Sequence, residues 1–199
     1  MQTIAVANHK GGVGKTATVH TLGVALAERG ERVLLLDLDP QSSLTAACGV
    51  RDVTGHSLAE VLGGATAGHL ALADVIMKLG PNLWLAPANI ALAMSQLGLT
   101  SRIGRENVLK RHLDTLGDSY DVALLDTAPS LGLLAVNALT AANAVLIPTL
   151  PQAADLRGLR LFLDTVALVT EALSPNLETL GILITLFDRR LIHHRQALE

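Results

Sequence analysis

Residues 3–16 read TIAVANHKGGVGKT, a short apolar run that leads into a glycine-rich loop. The run Thr3–Ala7 is typical of a buried strand, and a helical pattern, Lys15–Glu28, begins at the end of the loop. Glycines at positions 11, 12 and 14 let the backbone wrap around an anion with its N–H groups pointing inward. The helix N-terminus adds partial positive charge. This order of strand, loop and helix predicts a phosphate-binding loop.

Individual side chains of the loop have predicted nucleotide contacts. Lys15 is expected to reach the β- and γ-phosphates, and the Thr16 hydroxyl is expected to complete a Mg²⁺ shell. The strict GxxxxGK[ST] pattern fails because its first glycine position is His9. The sequence instead reads KGGxGK[ST], with an additional lysine at position 10. The predicted nucleotide-binding set is Lys10, Gly11, Gly12, Val13, Gly14, Lys15, Thr16 and Ala17.

The composition of the 199 residues indicates one α/β domain. Half of the residues are hydrophobic and only 2% are aromatic, as in parallel strands covered by helices. A net charge of −3 gives the chain as a whole no nucleic-acid signature. The single cysteine, Cys48, fits a reducing cytosol. No run approaches the roughly 18 apolar residues of a membrane span, so we expect a cytoplasmic protein.

Short apolar runs alternate with helical patterns along the chain. This rhythm predicts a doubly wound, mostly parallel sheet with helices on both faces. The predicted strands are Thr3–Ala7, Arg32–Leu36, Asn82–Ala86, Asp121–Leu125, Ala144–Pro148 and Leu180–Thr185. The predicted helices are Lys15–Glu28, Ser57–Leu62, Arg105–Leu116, Leu131–Ala141, Leu156–Leu173 and Leu191–Leu198. The stretch Cys48–Asp74 is expected to hold a short helix between loops.

Carboxylates follow two of the predicted strands. Asp37 and Asp39 come after the run at 33–36, and Asp126 comes after the run at 122–125. Ligands of open α/β sheets bind outside the carboxyl ends of the strands, so these acids are expected beside the phosphate loop. Asp126 has the position of an acid that holds Mg²⁺, usually through a water. The alternative for Asp37 and Asp39 is that they cap the next turn.

The loop and four further segments resemble the ParA/Soj partitioning ATPases, relatives of MinD. The segments are VLLLDLDPQSSLT (33–45), YDVALLDTAPSLGLLAVNALTAA (120–142), VLIPTLPQAADLRGL (145–159) and ILITLFDRR (182–190). The resemblance implies a P-loop ATPase that binds ATP or ADP with Mg²⁺. It also implies that Lys10 reaches the partner's phosphates across a dimer and that Asp39 orients the attacking water. Asp37 would then support the Mg²⁺ water shell, with Thr16 and Asp126 beside it.

The resemblance further implies a working cycle. Mg-ATP binds, a homodimer sandwiches two nucleotides, and this dimer binds nonspecific DNA on the nucleoid. A ParB-like centromere-binding protein stimulates hydrolysis and release, and no membrane takes part. Residues 1–199 are expected to form one ATPase domain that is shorter at its C-terminus than the family. DNA binding is therefore expected to be weak.

Some positions depart from the family pattern. His9 stands where glutamine is usual, and Ala17 stands where a second threonine often contacts the α-phosphate. Residues 152–155, QAAD, lack the usual acidic and aromatic residues. Phe187 is a candidate contact to the base, with a core position as the alternative. A basic cluster has DNA contact or a solvated helix face as its alternatives, and it comprises Arg189, Arg190, His193, His194 and Arg195.

Three other functions are compatible with parts of the sequence. A MinD-like regulator that cycles on membranes would need a C-terminal amphipathic helix, which this sequence does not show. A metabolic enzyme on the same fold could be a dethiobiotin-synthetase-like ligase or a nitrogenase-reductase-like iron–sulfur carrier. The carrier would need at least two suitable cysteines, and Cys48 is alone. A scaffold that holds nucleotide without turnover would not need Asp39.

Overall fold

The computed structural model describes residues 1–53, 55–63 and 70–197. Seven strands within these ranges form one sheet in the order β3-β4-β2-β5-β1-β6-β7. Neighbouring strands are parallel except for β3 and β4, which confirms the predicted doubly wound, mostly parallel α/β fold. The strands are β1 Gln2–Val6, β2 Val33–Leu38, β3 Met77–Gly80, β4 Leu83–Ala86, β5 Val122–Thr127, β6 Ala144–Thr149 and β7 Glu178–Ile184.

Helices cover both faces of this sheet, as the alternating pattern predicts. They are α1 Lys15–Glu28, α2 Ser43–Ala47, α3 Leu58–Gly63, α4 Leu92–Leu99, α5 Val108–Asp114, α6 Leu133–Ala141, α7 Ala153–Ala172 and α8 Ile192–Gln196. Short 3-10 turns lie at Leu72–Asp74 and Arg105–Asn107. No helix among the described residues is long and apolar enough to cross a bilayer.

Two apolar layers bury the centre of the sheet. Successive side chains of a strand face opposite sides, so the six buried residues of β2 serve both layers. Leu34 and Leu36 pack in the larger layer, beneath α3 to α7. Val33 and Leu35 pack in the smaller layer, beneath α1 and α2. The carboxyl end of β2 therefore lies next to the buried centre of the sheet.

The structure also differs from the predicted elements at several places. β3, α2 and α4 are additional to the predicted elements; in β3 the exposed Lys78 interrupts the apolar run. The predicted helix Arg105–Leu116 begins as a 3-10 turn after Gly104, whose φ is 66°. The predicted helix from Leu131 begins at Leu133 because Gly132 is extended, with ψ 179°. Within Cys48–Asp74 the short helix is present as α3, whereas residues 54 and 64–69, and the predicted helix end at Leu198, lie outside the described residues.

An aromatic pair closes the β4 side of the sheet. The Trp84 ring on β4 meets the Tyr120 ring, which precedes β5, edge to face at a centroid distance of 5.3 Å. The Lys78 ammonium lies 5.7 Å from the Trp84 ring centroid, within the range of a cation–π contact. This cluster joins the antiparallel edge to the parallel core.

Candidate nucleotide-binding site

The loop between β1 and α1 holds a backbone that only glycine adopts without strain. Gly12 has φ 73° and Gly14 has φ 86°, both in the left-handed region. Gly14 is the residue before the first turn of α1. The loop is anchored at Val13, which is fully buried and whose carbonyl accepts a hydrogen bond of 2.9 Å from the Thr185 hydroxyl. Its open N–H groups can therefore face an anion at the start of α1.

Lys15 is folded back onto the loop. Its side chain is buried, and Nζ donates a hydrogen bond of 2.9 Å to the carbonyl oxygen of Lys10. Burial lowers the pKa of Lys15, and the nearby carboxylates of Asp126 and Asp39 oppose that shift. Among the described residues the Lys10 carbonyl is the hydrogen-bond partner of this ammonium, so two of its three donors remain available. Lys15 can therefore exchange this carbonyl for phosphate oxygens.

Asp37 and Asp126 lie side by side behind the loop. They are register partners at the carboxyl ends of the parallel strands β2 and β5, and both are fully buried. Asp126 is also the register partner of Val6, the last residue of β1. Two buried carboxylates at one spot disfavour each other's charged forms. A divalent cation in front of them would remove that cost.

The Asp126 carboxylate has an unused oxygen. Oδ2 accepts a hydrogen bond of 2.7 Å from the Thr16 hydroxyl, whereas Oδ1 is buried with no hydrogen-bond partner among the described residues. Burial raises the pKa of Asp126 to about 7; the Asp37 charge adds to the shift, and the Thr16 bond and Lys15 oppose it. An unpaired carboxylate oxygen beside a threonine hydroxyl is a donor set that suits Mg²⁺. Thr16 and Asp126 thus fit the predicted metal.

Asp37, in contrast, accepts hydrogen bonds on both carboxylate oxygens. Its Oδ2 accepts bonds from the backbone N–H of Thr45 at 2.8 Å and from the Thr45 hydroxyl at 2.7 Å. Its Oδ1 accepts a bond of 3.1 Å from the backbone N–H of Asp39. Burial raises the pKa of Asp37, and these bonds oppose that shift. Asp37 therefore ties α2 to the end of β2, and its support of a Mg²⁺ water shell stays a prediction.

A cavity of about 490 Å³ lies over the loop and gathers most of the predicted site residues. Asp39 lines it, half-buried, with Oδ1 accepting a hydrogen bond of 2.9 Å from the Gln41 backbone N–H. This bond is the turn cap named as an alternative, and it leaves Oδ2 available to a water. The described residues that line it are Gly11, Gly12, Gly14, Lys15, Thr16, Ala17, Asp39, Gln41, Ser43, Thr127 and Pro129.

Lys10 is not among the residues that line this cavity. Its ammonium pairs with the Asp155 carboxylate in the first turn of α7, and the Lys10 side chain is 39% exposed whereas that of Asp155 is 1% exposed. The structure therefore separates the two lysines of the loop. Lys15 is buried under the cavity, and Lys10 is held at its rim by a different element.

A second, largely apolar cavity of about 630 Å³ lies on the other side of the loop. Phe187 is not among its lining residues; the ring instead packs on His194 at a centroid distance of 5.9 Å. The neighbouring Leu186 lines the cavity in its place. A base contact by Phe187 stays a prediction. The lining residues are Gly12, Gly14, Ala17, Thr18, Thr21, Leu22, Ala25, Leu146, Leu183, Thr185 and Leu186.

Comparison with known proteins places this geometry in a family. A family model described as an AAA domain matches residues 1–179. The Bacillus subtilis sporulation initiation inhibitor protein Soj is 40% identical over 198 residues, which cover 98% of this chain and 77% of Soj. The chain belongs to the ParA/Soj family. The Caulobacter vibrioides chromosome partitioning protein ParA is 38% identical over 194 residues, 96% of this chain and 71% of that protein.

Other relatives of this ParA/Soj-family chain extend the comparison. Two uncharacterised Mycobacterium tuberculosis proteins are 42% identical, and the chain spans 62% of their length. A crystal structure of a Mycobacterium smegmatis cobyrinic acid a,c-diamide synthase with ADP and magnesium has a TM-score of 0.93 and 43% identity over 100% of this chain and 80% of that one. A Cyanothece McdA variant with ATP has a TM-score of 0.87 and 26% identity over 100% of this chain and 76% of that one. Both of these solved structures therefore hold an adenine nucleotide, and the first holds magnesium as well.

Two contacts in the ParA/Soj-family chain had no signal in the sequence. Thr45 lies in a short polar stretch, and nothing in its spacing indicates a bond to Asp37. Asp155 lies in the QAAD stretch that departs from the family pattern, and its pairing with Lys10 depends on where α7 packs. Both contacts join residues that are distant in sequence or in different elements, so only the fold brings them together.

The predicted basic cluster after β7 is partly neutralised. The Arg190 guanidinium donates to both carboxylate oxygens of Asp188 at 3.0 and 2.7 Å. His194 is buried, and its Nδ1 accepts a bond of 3.0 Å from the Asp188 backbone N–H. Arg189 and Arg195 are exposed, and the side chain of His193 lies outside the described set. The cluster is therefore not a uniformly solvated basic face.

Proposed function

We propose that the chain is an ATP-driven partitioning switch that hydrolyses ATP, with Mg²⁺ as its metal. The observation that supports this best is that Lys15, Thr16, Asp126 and Asp39 lie together at the carboxyl ends of the central strands. Membership of the ParA/Soj family agrees with it.

In the proposed reaction the chain exchanges internal contacts for contacts with the nucleotide. Lys15 leaves the Lys10 carbonyl and binds β- and γ-phosphate oxygens. Thr16, with its hydroxyl released from Asp126, and the unpaired oxygen of Asp126 would hold Mg²⁺, Asp126 through a water. Mg²⁺, when bound, neutralises charge on the phosphates. Asp39 Oδ2 orients the attacking water.

Lys10 has a separate proposed role across a homodimer. Its position at the rim, on a partly exposed side chain, suits a cation that leaves Asp155 for the phosphates of a second subunit. A cation supplied in trans in this way can raise the rate by about 10³–10⁵-fold. The ATP-bound dimer would bind nonspecific DNA on the nucleoid, and a ParB-like protein would stimulate hydrolysis and release. The second cavity, next to Ala17, has the apolar walls that an adenine base would need.

The experiment that tests this proposal compares Lys10→Ala with Lys15→Ala. Lys15→Ala should weaken both ADP and ATP binding by at least about tenfold, because it removes a charge-assisted contact to the phosphates. Lys10→Ala should keep ADP affinity within about twofold but lose ATP-dependent dimerisation and hydrolysis. Calorimetry, light scattering and phosphate release measure the three quantities. Lys110→Ala, an exposed lysine on α5, is the matched control. Equal loss of ADP binding in the two loop variants would refute the trans role.

DNA binding is tested separately. With ATP, Mg²⁺ and low salt the chain should bind duplex DNA of any sequence weakly, and the affinity should fall as salt rises. ADP should abolish this binding. DNA binding that is equal in ATP and ADP would contradict the switch, even if hydrolysis is observed.

A second candidate function follows from the solved structure of a cobyrinic acid a,c-diamide synthase at 43% identity. A synthase of that kind would use ATP to make amide bonds on a carboxylic acid. It would hydrolyse ATP only when that acid and a nitrogen donor are present. Hydrolysis that cobyrinic acid stimulates and DNA does not would favour this second function.

A further inference from the structure

One face of α7 contacts the residues that enter the phosphate loop. Asp155 pairs with Lys10, Gly158 lies against His9, and the Phe162 ring stacks near the His9 ring at a centroid distance of 6.4 Å. Positions 155, 158 and 162 follow a spacing of three and four residues, so they share one face of the helix. The loop entrance is therefore docked on α7 through two consecutive residues.

The contact between His9 and Gly158 leaves no space for a side chain. A Cβ at Gly158 would lie 2.8 Å from both Cε1 and Nε2 of the imidazole, closer than real Cβ contacts. A glycine inside a helix lowers its stability relative to alanine, so packing has to be the reason for this one. The imidazole occupies the volume of the missing Cβ.

His9 is also incompletely satisfied in this arrangement. Its Nδ1 is buried with no hydrogen-bond partner among the residues that the structure describes. A buried unpaired polar atom raises the free energy of the state that contains it. Movement of the ring away from α7 would let Nδ1 form a hydrogen bond. This gain in free energy favours a second position of the ring.

The opposite side of the loop entrance is fixed. The Asn8 side chain donates a bond of 2.7 Å to the carbonyl of Pro148 at the end of β6, and its oxygen accepts a bond of 3.1 Å from the Lys10 backbone N–H. With Asn8 held, a displacement of the His9 ring acts on the next residue, Lys10. Helix α7 thus contacts the ammonium of Lys10 directly and its backbone through His9.

We propose that His9 is a positioning residue that couples α7 to Lys10. While the imidazole rests on Gly158 and Phe162, the chain at 9–10 keeps the Lys10 ammonium on Asp155. When the ring leaves α7, Lys10 is free to reach a phosphate. This inference rests on the proposed function of Lys10 and adds the residue that controls when it is released.

The experiment measures the state of Lys10 without nucleotide, by the rate of amine labelling under mass spectrometry. The chain has four lysines, of which Lys78 and Lys110 are exposed internal standards. Because Lys15 donates to the Lys10 carbonyl, loss of the fold is followed separately by the fluorescence of Trp84. Gly158→Ala should displace the ring and raise labelling of Lys10 by about threefold or more, the scale of coupling between residues in contact. Asp155→Asn sets the upper limit. Gly98→Ala, in α4, is the control because its Cβ would meet an ordinary contact of 3.6 Å.

The decisive comparison is a double-mutant cycle. His9→Ala should raise labelling of Lys10 as well, and adding Gly158→Ala to it should change nothing further. Equal effects of Gly158→Ala with and without His9 would overturn the proposal, and so would wild-type labelling in both single variants. If the fluorescence of Trp84 shows that Gly158→Ala unfolds the chain, His9→Ala decides alone, since wild-type labelling of Lys10 there refutes the coupling.

The same variants separate this inference from the proposed function. Gly158→Ala should leave ADP affinity unchanged and alter ATP hydrolysis by about tenfold or more, because a misplacement near 1 Å can cost about a hundredfold. If wild-type chain neither dimerises nor hydrolyses ATP, the proposed function fails while the labelling cycle still judges the coupling. If wild type is active but the cycle is additive, only the coupling fails.

Discussion

The ends of β2 and β5 place Asp37 and Asp126 opposite each other, yet the two carboxylates have different surroundings. Asp37 accepts three hydrogen bonds, two of them from Thr45. Within the described part of the chain, Asp126 accepts one, from Thr16, and keeps a buried oxygen unpaired. The residue type, the burial and the register are the same, so the difference comes from the path of the chain beyond each strand. After β2 the chain turns back as α2, and Thr45 of that helix donates to Asp37. The bond to Asp126 comes instead from Thr16 of α1 and not from the segment that follows β5.

This difference separates support from ligand binding. A carboxylate that accepts three hydrogen bonds from the following loop stabilises that loop, and it has less capacity left for a metal. A carboxylate with a free oxygen is destabilising until a cation or water arrives. The end of β2 therefore positions Asp39 through Asp37, whereas the end of β5 is suited to hold the metal. Four predictions test this division, from the largest expected effect to the smallest.

Asp39→Ala should slow ATP hydrolysis by about 10²–10⁴-fold, the usual contribution of a positioned general base. ATP affinity and dimerisation should remain, because the phosphate loop is untouched. Single-turnover hydrolysis and equilibrium binding measure the two effects. Gln41→Ala, from the same turn, is the control and should retain activity. Normal turnover in Asp39→Ala would move catalysis to another residue of the cavity.

The stability of the metal-free chain should fall as pH rises from about 4 to 7. Burial raises the pKa of Asp126 to about 7, above the value of about 3.9 for an unfolded aspartate. In this window the unfolded chain releases a proton that the folded chain keeps, so the free energy of unfolding decreases. Asp37 shifts in the same direction.

The loss should amount to a few kcal/mol, since each pKa unit corresponds to about 1.4 kcal/mol. Urea unfolding in EDTA at several pH values measures it. Asp126→Asn should flatten the slope because the titrating group at the end of β5 is gone. If the free energy of unfolding changes with pH equally in wild type and Asp126→Asn, Asp126 is not the group that causes the pH dependence.

Asp126→Asn should also weaken Mg²⁺-dependent nucleotide binding by about 10–100-fold, the usual effect of losing a group that holds a metal through a water. Nucleotide binding in EDTA should stay near that of wild type. Titrations with ATP at several Mg²⁺ concentrations measure the difference. An equal loss in EDTA would mean that the variant damages the loop and not the metal site.

Thr45→Val should lower the free energy of unfolding by about 1 to 2 kcal/mol. It removes the hydroxyl bond to Asp37 and the bond of 3.0 Å that Thr45 accepts from the Ala88 backbone N–H. Mg²⁺ dependence should not change. Thr18→Val, whose hydroxyl bonds only one turn back to the Gly14 carbonyl, is the control with a smaller expected loss. A shift in Mg²⁺ affinity would mean that Asp37 takes a larger part in the metal site than its bonds indicate.

The central sheet and the phosphate loop were predictable because their signals are local. Residues 3–16 contain the strand, the glycines and the helix start in one run, and positions 37 and 126 follow apolar strands. The register that sets Asp37 against Asp126 follows from parallel pairing of those strands. The antiparallel β3 was missed since Lys78 and Gly80 give it no apolar run.

The functional distinctions were less predictable because they depend on contacts across the fold. The sequence predicted that Asp37 and Asp126 lie together near the metal. It could not show that Thr45 donates two hydrogen bonds to Asp37. It assigned Lys10 to a partner's phosphate and could not show that Asp155 holds it without nucleotide. These contacts are set by packing of α2 and α7, and no spacing pattern reports that packing.

The aromatic pair at the β4 side also determines which changes intrinsic fluorescence can detect. Trp84 and Tyr120 are the only tryptophan and tyrosine of the chain, and they contact each other. Neither lines the cavity over the phosphate loop. Intrinsic fluorescence should therefore change when the sheet unfolds and change very little when a nucleotide binds. A fluorescence change on adding ATP would mean that the antiparallel edge itself responds to the nucleotide.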